Sequence, residues 1–251
     1  MKKIAILGGA GTIGQLLAKG LRSQYEVIVM DKNLKSFPLE EVTTIQVDAT
    51  NYQQLLQQIP KDADALINLL KTDTDDAIEE IATFEQMTDV FFKASYYILM
   101  AAKELNIPKV IFASSNHVTD YYEKDGKSLL GREIKVDDYP YSKGLYGLLK
   151  LASEQAGFLF SLHSSLSVIN IRIGSVPKDV TYEDVVENHR LQKTLLSQTD
   201  VVNLFQAAIE SDVQFGTYYG VSNNPDKPWD MSNAIAELGF ESKETTSDIL
   251  H

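Results

Sequence analysis

The chain has 251 residues, enough for one large α/β domain with a full core. Its 35 acidic and 23 basic side chains leave a net charge of -12, which argues against nucleic acid and an anionic membrane surface, since both demand a Lys/Arg excess. There is no cysteine, so disulfides and thiolate-held metals are excluded, and no metal is expected.

The first apolar run, residues 4–7, breaks at Gly8-Gly9, too soon for the h-region of a secretion signal. No stretch approaches the roughly 20 apolar residues of a membrane span, so a cytoplasmic protein without membrane partners is expected. Further short apolar runs follow at 27–30, 45–47, 65–70, 110–113 and 168–173. Each is too continuous to have one wet face, as for parallel strands covered by helices on both sides. Between them lie segments of helical period. Ile13, Leu16, Leu17 and Leu21 share one face; Asn51 can cap a helix that stops at Pro60; long helices are expected over 76–105 and 140–160, the second with Pro140 at its first position.

After Ile173 the rhythm changes to a helix near 200–210, a strand near 217–221 and a helix ending near Gly239. The fold class expected is α/β, a Rossmann-type doubly wound parallel sheet, with residues 1–174 as the NAD-binding part. Residues 175–251 would be a small substrate-binding part packed on the same domain. The long connections 115–138 and 175–196 leave strand ends, where binding and chemistry concentrate.

Gly8, Gly11 and Gly14 stand three apart between the first strand and the first helix. That pattern serves a tight turn, a close approach to a pyrophosphate and helix–strand packing, with Thr12 and Ile13 presenting the helix N-terminus to the phosphates. Asp31 ends the next strand, 20 residues after Gly11, where it would accept from ribose hydroxyls and repel a 2′-phosphate, favouring NAD. Asp48, ending the third strand, is placed either to reach the adenine edge or to cap the helix that follows.

Tyr139 and Lys143 form a Tyr-x-x-x-Lys pair, which on a helix opened by Pro140 would share one face. The ammonium favours the phenolate, making Tyr139 a general base, with Lys143 also touching the cofactor and Ser115, at the end of the preceding strand, bonding the reacting hydroxyl. Tyr146 and Lys150 repeat the spacing two turns deeper, where packing is expected.

The glycine pattern, Asp31, Ser115 and Tyr139-x-x-x-Lys143 together resemble the extended short-chain dehydrogenase/reductases, which include the sugar-nucleotide epimerases and dehydratases. The resemblance covers nearly the whole chain. Residues 113–118 (Ala-Ser-Ser-Asn-His-Val), 172–175 (Arg-Ile-Gly-Ser), Arg190-Leu191, Leu196-Ser197 with Asp200, 219–222 (Tyr-Gly-Val-Ser) and Trp229-Asp230 are similar to uronate dehydrogenases, which oxidise the anomeric carbon of a hexuronate with NAD. That resemblance implies that Ser115, Asn116, His117 and Ser175 hold sugar hydroxyls, that Arg190 clamps the carboxylate, and that the chain forms a homodimer. On the residues alone His117 could equally be a loop histidine, Asn116 a turn former and Arg190 a solvated charge.

The chain departs from the pattern at Leu70 and Lys71, where the family has a small glycine-containing turn. It departs again at Asp73, in place of a substrate-touching serine, and at Phe91, in place of a helix asparagine. Two alternatives therefore stand beside the sugar-acid dehydrogenase: a nucleotide-sugar epimerase or reductase, and a non-catalytic NAD-binding regulator whose cleft Phe91 and its neighbours close.

Overall fold

The computed structural model describes residues 1–35, 37–38, 41–72 and 79–250. The chain runs β1 (Lys3–Leu7), α1 (Thr12–Leu21), β2 (Glu26–Asp31), β3 (Thr43–Gln46), α2 (Tyr52–Gln58), β4 (Ala65–Asn68) and α3 (Ile81–Met87). A π-helical turn, Thr88–Lys93, leads into α4 (Ala94–Glu104) and then β5 (Lys109–Ser115). A tight helical segment, Asn116–Tyr122, is followed by the short hairpin of β6 (Glu123–Lys124) and β7 (Lys127–Ser128) and by α5 (Leu145–His163). The rest is β8 (Ser167–Ile173), α6 (Tyr182–Glu187), α7 (Leu191–Thr194), α8 (Gln198–Glu210), β9 (Phe215–Gly220), α9 (Ser232–Leu238) and α10 (Thr246–Leu250).

Seven of the strands form one sheet in the order β3-β2-β1-β4-β5-β8-β9, with every pairing parallel. Alternation along each strand divides the core into two layers. Ile4, Ile6, Val27, Val29 and Ile67 face Leu17 and Leu21 of α1 and Leu204 and Phe205 of α8. Ala5, Leu7, Ile28, Met30 and Leu66 face Leu55 of α2 and Ile98 and Leu99 of α4. Both sheet faces are covered, which is why the strand sequences are continuous apolar runs. The chain winds outward from β1 to β3 and then returns to start β4 beside β1, leaving a crevice beyond their carboxyl ends. Among the described residues no helix is long and apolar enough to cross a membrane.

Two expected boundaries move. The helix expected from residue 76 is seen from Ile81, and residues 73–78, Asp73 among them, lie outside the described residues. The helix expected from Pro140 begins only at Leu145. Its first turn is lost because the backbone there is already engaged elsewhere: the Tyr141 carbonyl accepts from Tyr121 N at 3.2 Å, and Lys143 N donates to Asp120 Oδ1 at 2.7 Å. Gly144, extended at φ -140° and ψ 165°, is the true N-cap.

Candidate active site

The glycine turn carries Gly8 at φ +72°, a conformation glycine adopts without strain, and a Cβ there would meet the Leu69 carbonyl group at 2.8 Å. The turn opens directly into α1, whose N-cap, Gly11, supplies no side-chain cap. Its first amides are left for a ligand, as a bound pyrophosphate requires. Asp31 accepts from Ala10 N and Asn33 N, both at 3.0 Å, so its carboxylate is fixed at the mouth of the turn. Asp48 Oδ1 accepts from Thr50 N and Oγ1 at 3.0 and 2.7 Å, and its Oδ2 pairs with Lys32 at 2.8 Å. Burial works to raise the Asp48 carboxyl, but Lys32 and Thr50 outweigh it and hold it below the usual carboxylate range.

These residues line a cleft of about 660 Å³ over the crevice between β1 and β4. Gly8, Gly11, Thr12, Ile13, Gly14, Asp31 and Asp48 are all on its wall, joined by Leu70, Lys71 and Val90. The cradle, the free helix end and the acid that ends β2 fit a dinucleotide. Ser115 lines the far end of the cleft, and so do Tyr146 and Lys150.

Tyr139 and Lys143 do not reach it. Tyr139 is 69% exposed and packs tilted against Tyr141, ring centroids 4.8 Å apart, while Lys143 Nζ donates to the Glu123 carbonyl at 3.0 Å. The expectation built on this pair is corrected by the position of the helix. A Tyr-x-x-x-Lys spacing aligns two side chains only on a helix, and residues 139–143 lie before the helix begins. The pair that α5 does carry is Tyr146 and Lys150. Gly147 brings it to the site: a Cβ there would fall 2.2 Å from the His117 carbonyl oxygen, so only glycine lets α5 lie this close to the chain leaving β5. That glycine, with Gly144 as a helix start, was the signal available in the sequence.

Lys150 is buried, its Nζ 2.8 Å from the Ala113 carbonyl and over the rings of Phe91 and Tyr146 at 4.9 and 5.7 Å. Burial pulls its pKa down to about 8, against the opposing pull of Glu154. Burial raises the Tyr146 phenol, and the Ser115 hydroxyl works to lower it. Phe91 is buried behind Tyr146, edge to face at 5.0 Å, and is absent from the cleft wall. The cleft is therefore open on the side that Phe91 was expected to block.

Below the site a polar network fixes α5. Glu154 takes two bonds from Arg172, at 3.0 and 2.8 Å, and one from Ser114. Arg172 also donates to the Tyr219 hydroxyl at 3.2 Å, which in turn meets Thr119 Oγ1 at 2.7 Å. All five are buried, which ties α5 to β5, β8 and β9.

A second pocket of about 280 Å³ adjoins the cleft and shares Lys71, Ser115, Tyr146 and Gly174 with it. Asn116, His117, Ser175 and Arg190 complete its wall, so with Ser115 the five residues that the resemblance implies line one pocket. Ser115 Oγ accepts from His117 N at 3.2 Å, and His117 Nδ1 lies 3.0 Å from Asp120 Oδ2. Ser175 is held by Thr194 through both backbone and hydroxyl, at 2.7 and 2.8 Å. Arg190 binds the buried Glu123 carboxylate through Nε and Nη2, the shortest contact being 2.9 Å. This partnership across 67 residues left no trace in the sequence pattern.

Comparison with known proteins agrees with the crevice. The uncharacterized protein YtbQ of Bacillus subtilis is 55% identical over 251 residues, covering 100% of this chain and 98% of that protein. A uronate dehydrogenase of Pseudomonas putida is 28% identical, covering 97% of this chain and 85% of its own length. A mutant uronate dehydrogenase from Agrobacterium tumefaciens, solved complexed with NAD, superposes with a TM-score of 0.83 at 21% identity, over 99% of this chain and 87% of that one. The model of the NAD dependent epimerase/dehydratase family matches residues 4–177. That match starts inside β1 and ends just beyond β8, spanning every strand and helix that shapes the cleft, and it makes this chain an NAD-dependent member of the epimerase/dehydratase family.

Proposed function

We propose that this protein oxidises the anomeric carbon of a small aldose bearing an acidic group, of the hexuronate kind, to the corresponding lactone. The observation that carries the reading is the meeting of Ser115 and Tyr146, with Lys150 behind them, at the seam between the cofactor cleft and the smaller pocket. NAD, when bound, accepts the hydride. Ser115 and Tyr146 hold the anomeric hydroxyl between them, and Tyr146, as phenolate, takes its proton while the C–H bond gives up its electron pair and the C–O double bond forms.

A phenol of ordinary pKa about 10 must fall by 2–3 units to act near neutral pH, which needs roughly 3–4 kcal/mol of differential stabilisation. Burial opposes this, so the Lys150 ammonium and the Ser115 hydroxyl must supply it. Asn116, His117 and Ser175 offer directional bonds to the remaining hydroxyls, and Lys71 and Arg190 bring positive charge to the wall. A pocket of about 280 Å³ suits a monosaccharide better than a nucleotide sugar. The similarity to uronate dehydrogenases supports the same substrate class.

The test is NADH formation by the purified protein with D-galacturonate, D-glucuronate and the matching neutral hexoses. Turnover with preference for the acids is expected. Absence of turnover on every aldose, with NAD binding demonstrated by calorimetry, would overturn the proposal.

A further inference from the structure

We propose that Lys71, rather than Arg190, is the cation that reads the acidic group of the substrate; this rests on the aldose-dehydrogenase reading above. Three basic residues line the smaller pocket: Lys71, His117 and Arg190. Two already face a carboxylate. Arg190 spends Nε and Nη2, the edge of the guanidinium that fits a carboxylate in two parallel bonds, on Glu123. Glu123 is 5% exposed and also accepts from Gly126 N at 2.6 Å, so drawing Arg190 away would leave a buried charge uncompensated. His117 stands against Asp120 at 3.0 Å.

Lys71 forms no ion pair among the described residues. It also stands where selection is made, on the wall of both the cofactor cleft and the smaller pocket. Its approach is fixed by the chain before it. Leu69 N donates to the Leu7 carbonyl at 2.9 Å and Leu70 N to Asn68 Oδ1 at 3.0 Å, and Asn68 itself is buried and bonded to Ser95 at 2.9 Å. A lysine is a point charge without a preferred plane, so it recognises an anion by charge more than by shape. The ligand chemistry is an anionic substituent on a small aldose, either a carboxylate or a phosphate monoester.

The experiment compares kcat/KM of the wild type, Lys71→Met and Lys71→Arg on D-galactose, D-galacturonate and D-galactose 6-phosphate. In Lys71→Met the ratio of acidic to neutral sugar should fall about ten-fold, the loss of one charge-assisted contact, and fall through KM rather than kcat. Lys71→Arg should restore most of the ratio. Raising the ionic strength should weaken the acidic sugars in the wild type and not in Lys71→Met. The wild-type ratios for the two acids tell carboxylate from phosphate. An unchanged ratio in Lys71→Met, or an equal loss on all three sugars, overturns the assignment while leaving the dehydrogenase reading standing. If the wild type turns over none of the three, the dehydrogenase reading falls and this one falls with it.

Discussion

Replacing Lys150 with methionine is expected to stabilise the cofactor-free protein while removing its activity. Burial lowers the Lys150 pKa from an ordinary 10.5 to about 8, with Glu154 pulling the other way. The folded chain therefore holds this proton less tightly than the unfolded chain. Below about pH 8 both states are charged and folding bears the full penalty. Between about pH 8 and 10.5 the folded lysine is neutral while the unfolded one is still charged, so stability rises with pH across that window. At about 1.4 kcal/mol per tenfold in proton affinity, the penalty near neutral pH is about 3 kcal/mol. Methionine removes it and keeps most of the apolar stem, but gives up the bond from Nζ to the Ala113 carbonyl, worth about 1 kcal/mol net. The variant should be more stable than the wild type by about 2 kcal/mol near pH 7, and that advantage should shrink as the pH climbs to about 10. Urea unfolding of the NAD-free proteins at several pH values measures both. A variant less stable than the wild type near neutrality, or a difference that ignores pH, would refute the reasoning.

Tyr146→Phe should lower kcat by at least about a hundred-fold with NAD affinity nearly unchanged, while Tyr139→Phe should leave both alone; steady-state rates and calorimetric NAD titration distinguish them. Glu154→Ala strands the buried Arg172 guanidinium and should cost about 3–5 kcal/mol in urea unfolding. Asp200 is buried, forms no ion pair among the described residues, and accepts from Ser222, Ser242 and Lys243 N at 2.6, 2.6 and 2.7 Å; Asp200→Ala should cost about 2–4 kcal/mol and loosen residues 242–244, seen as lost amide protection in hydrogen exchange.

The sheet and the cofactor cradle were legible because they rest on local rules. Strands buried on both faces must be apolar throughout, and a glycine turn between strand and helix leaves few other readings. Which pair reaches the cleft was not legible, because two Tyr-x-x-x-Lys pairs lie seven residues apart and their spacing is the same. What separates them is long-range: Asp120 and Tyr121 hold residues 141–143 out of the helix, and Gly147 lets the next turn press against His117. Helix propensity and a proline at a favourable position lost to those tertiary bonds. Arg190 lines the smaller pocket beside Asn116, His117 and Ser175, but its buried partner Glu123 is contributed by a two-residue strand that carries no periodic signal.

Phe91 shows how a residue out of pattern takes on a different role in the fold. Read along the chain it is bulk where a small polar group belongs, and so an obstacle. The π-helical turn that carries it directs its ring away from the cleft, against Tyr146 and beneath the Lys150 ammonium, while its carbonyl accepts from Ser95 and Ser153, both at 2.6 Å. Those two bonds tie α4 to α5 at the level of the tyrosine. The face of an aromatic ring favours a cation modestly and carries no formal charge. A second carboxylate in that place would hold the lysine proton firmly and push its pKa up, and an open, wetted cavity would do the same by relieving burial. Either change would take Lys150 further from the pH at which it can answer a change of charge on Tyr146. The apolar ring keeps the lysine within reach of neutral pH, and the destabilisation expected at that site follows from the same burial.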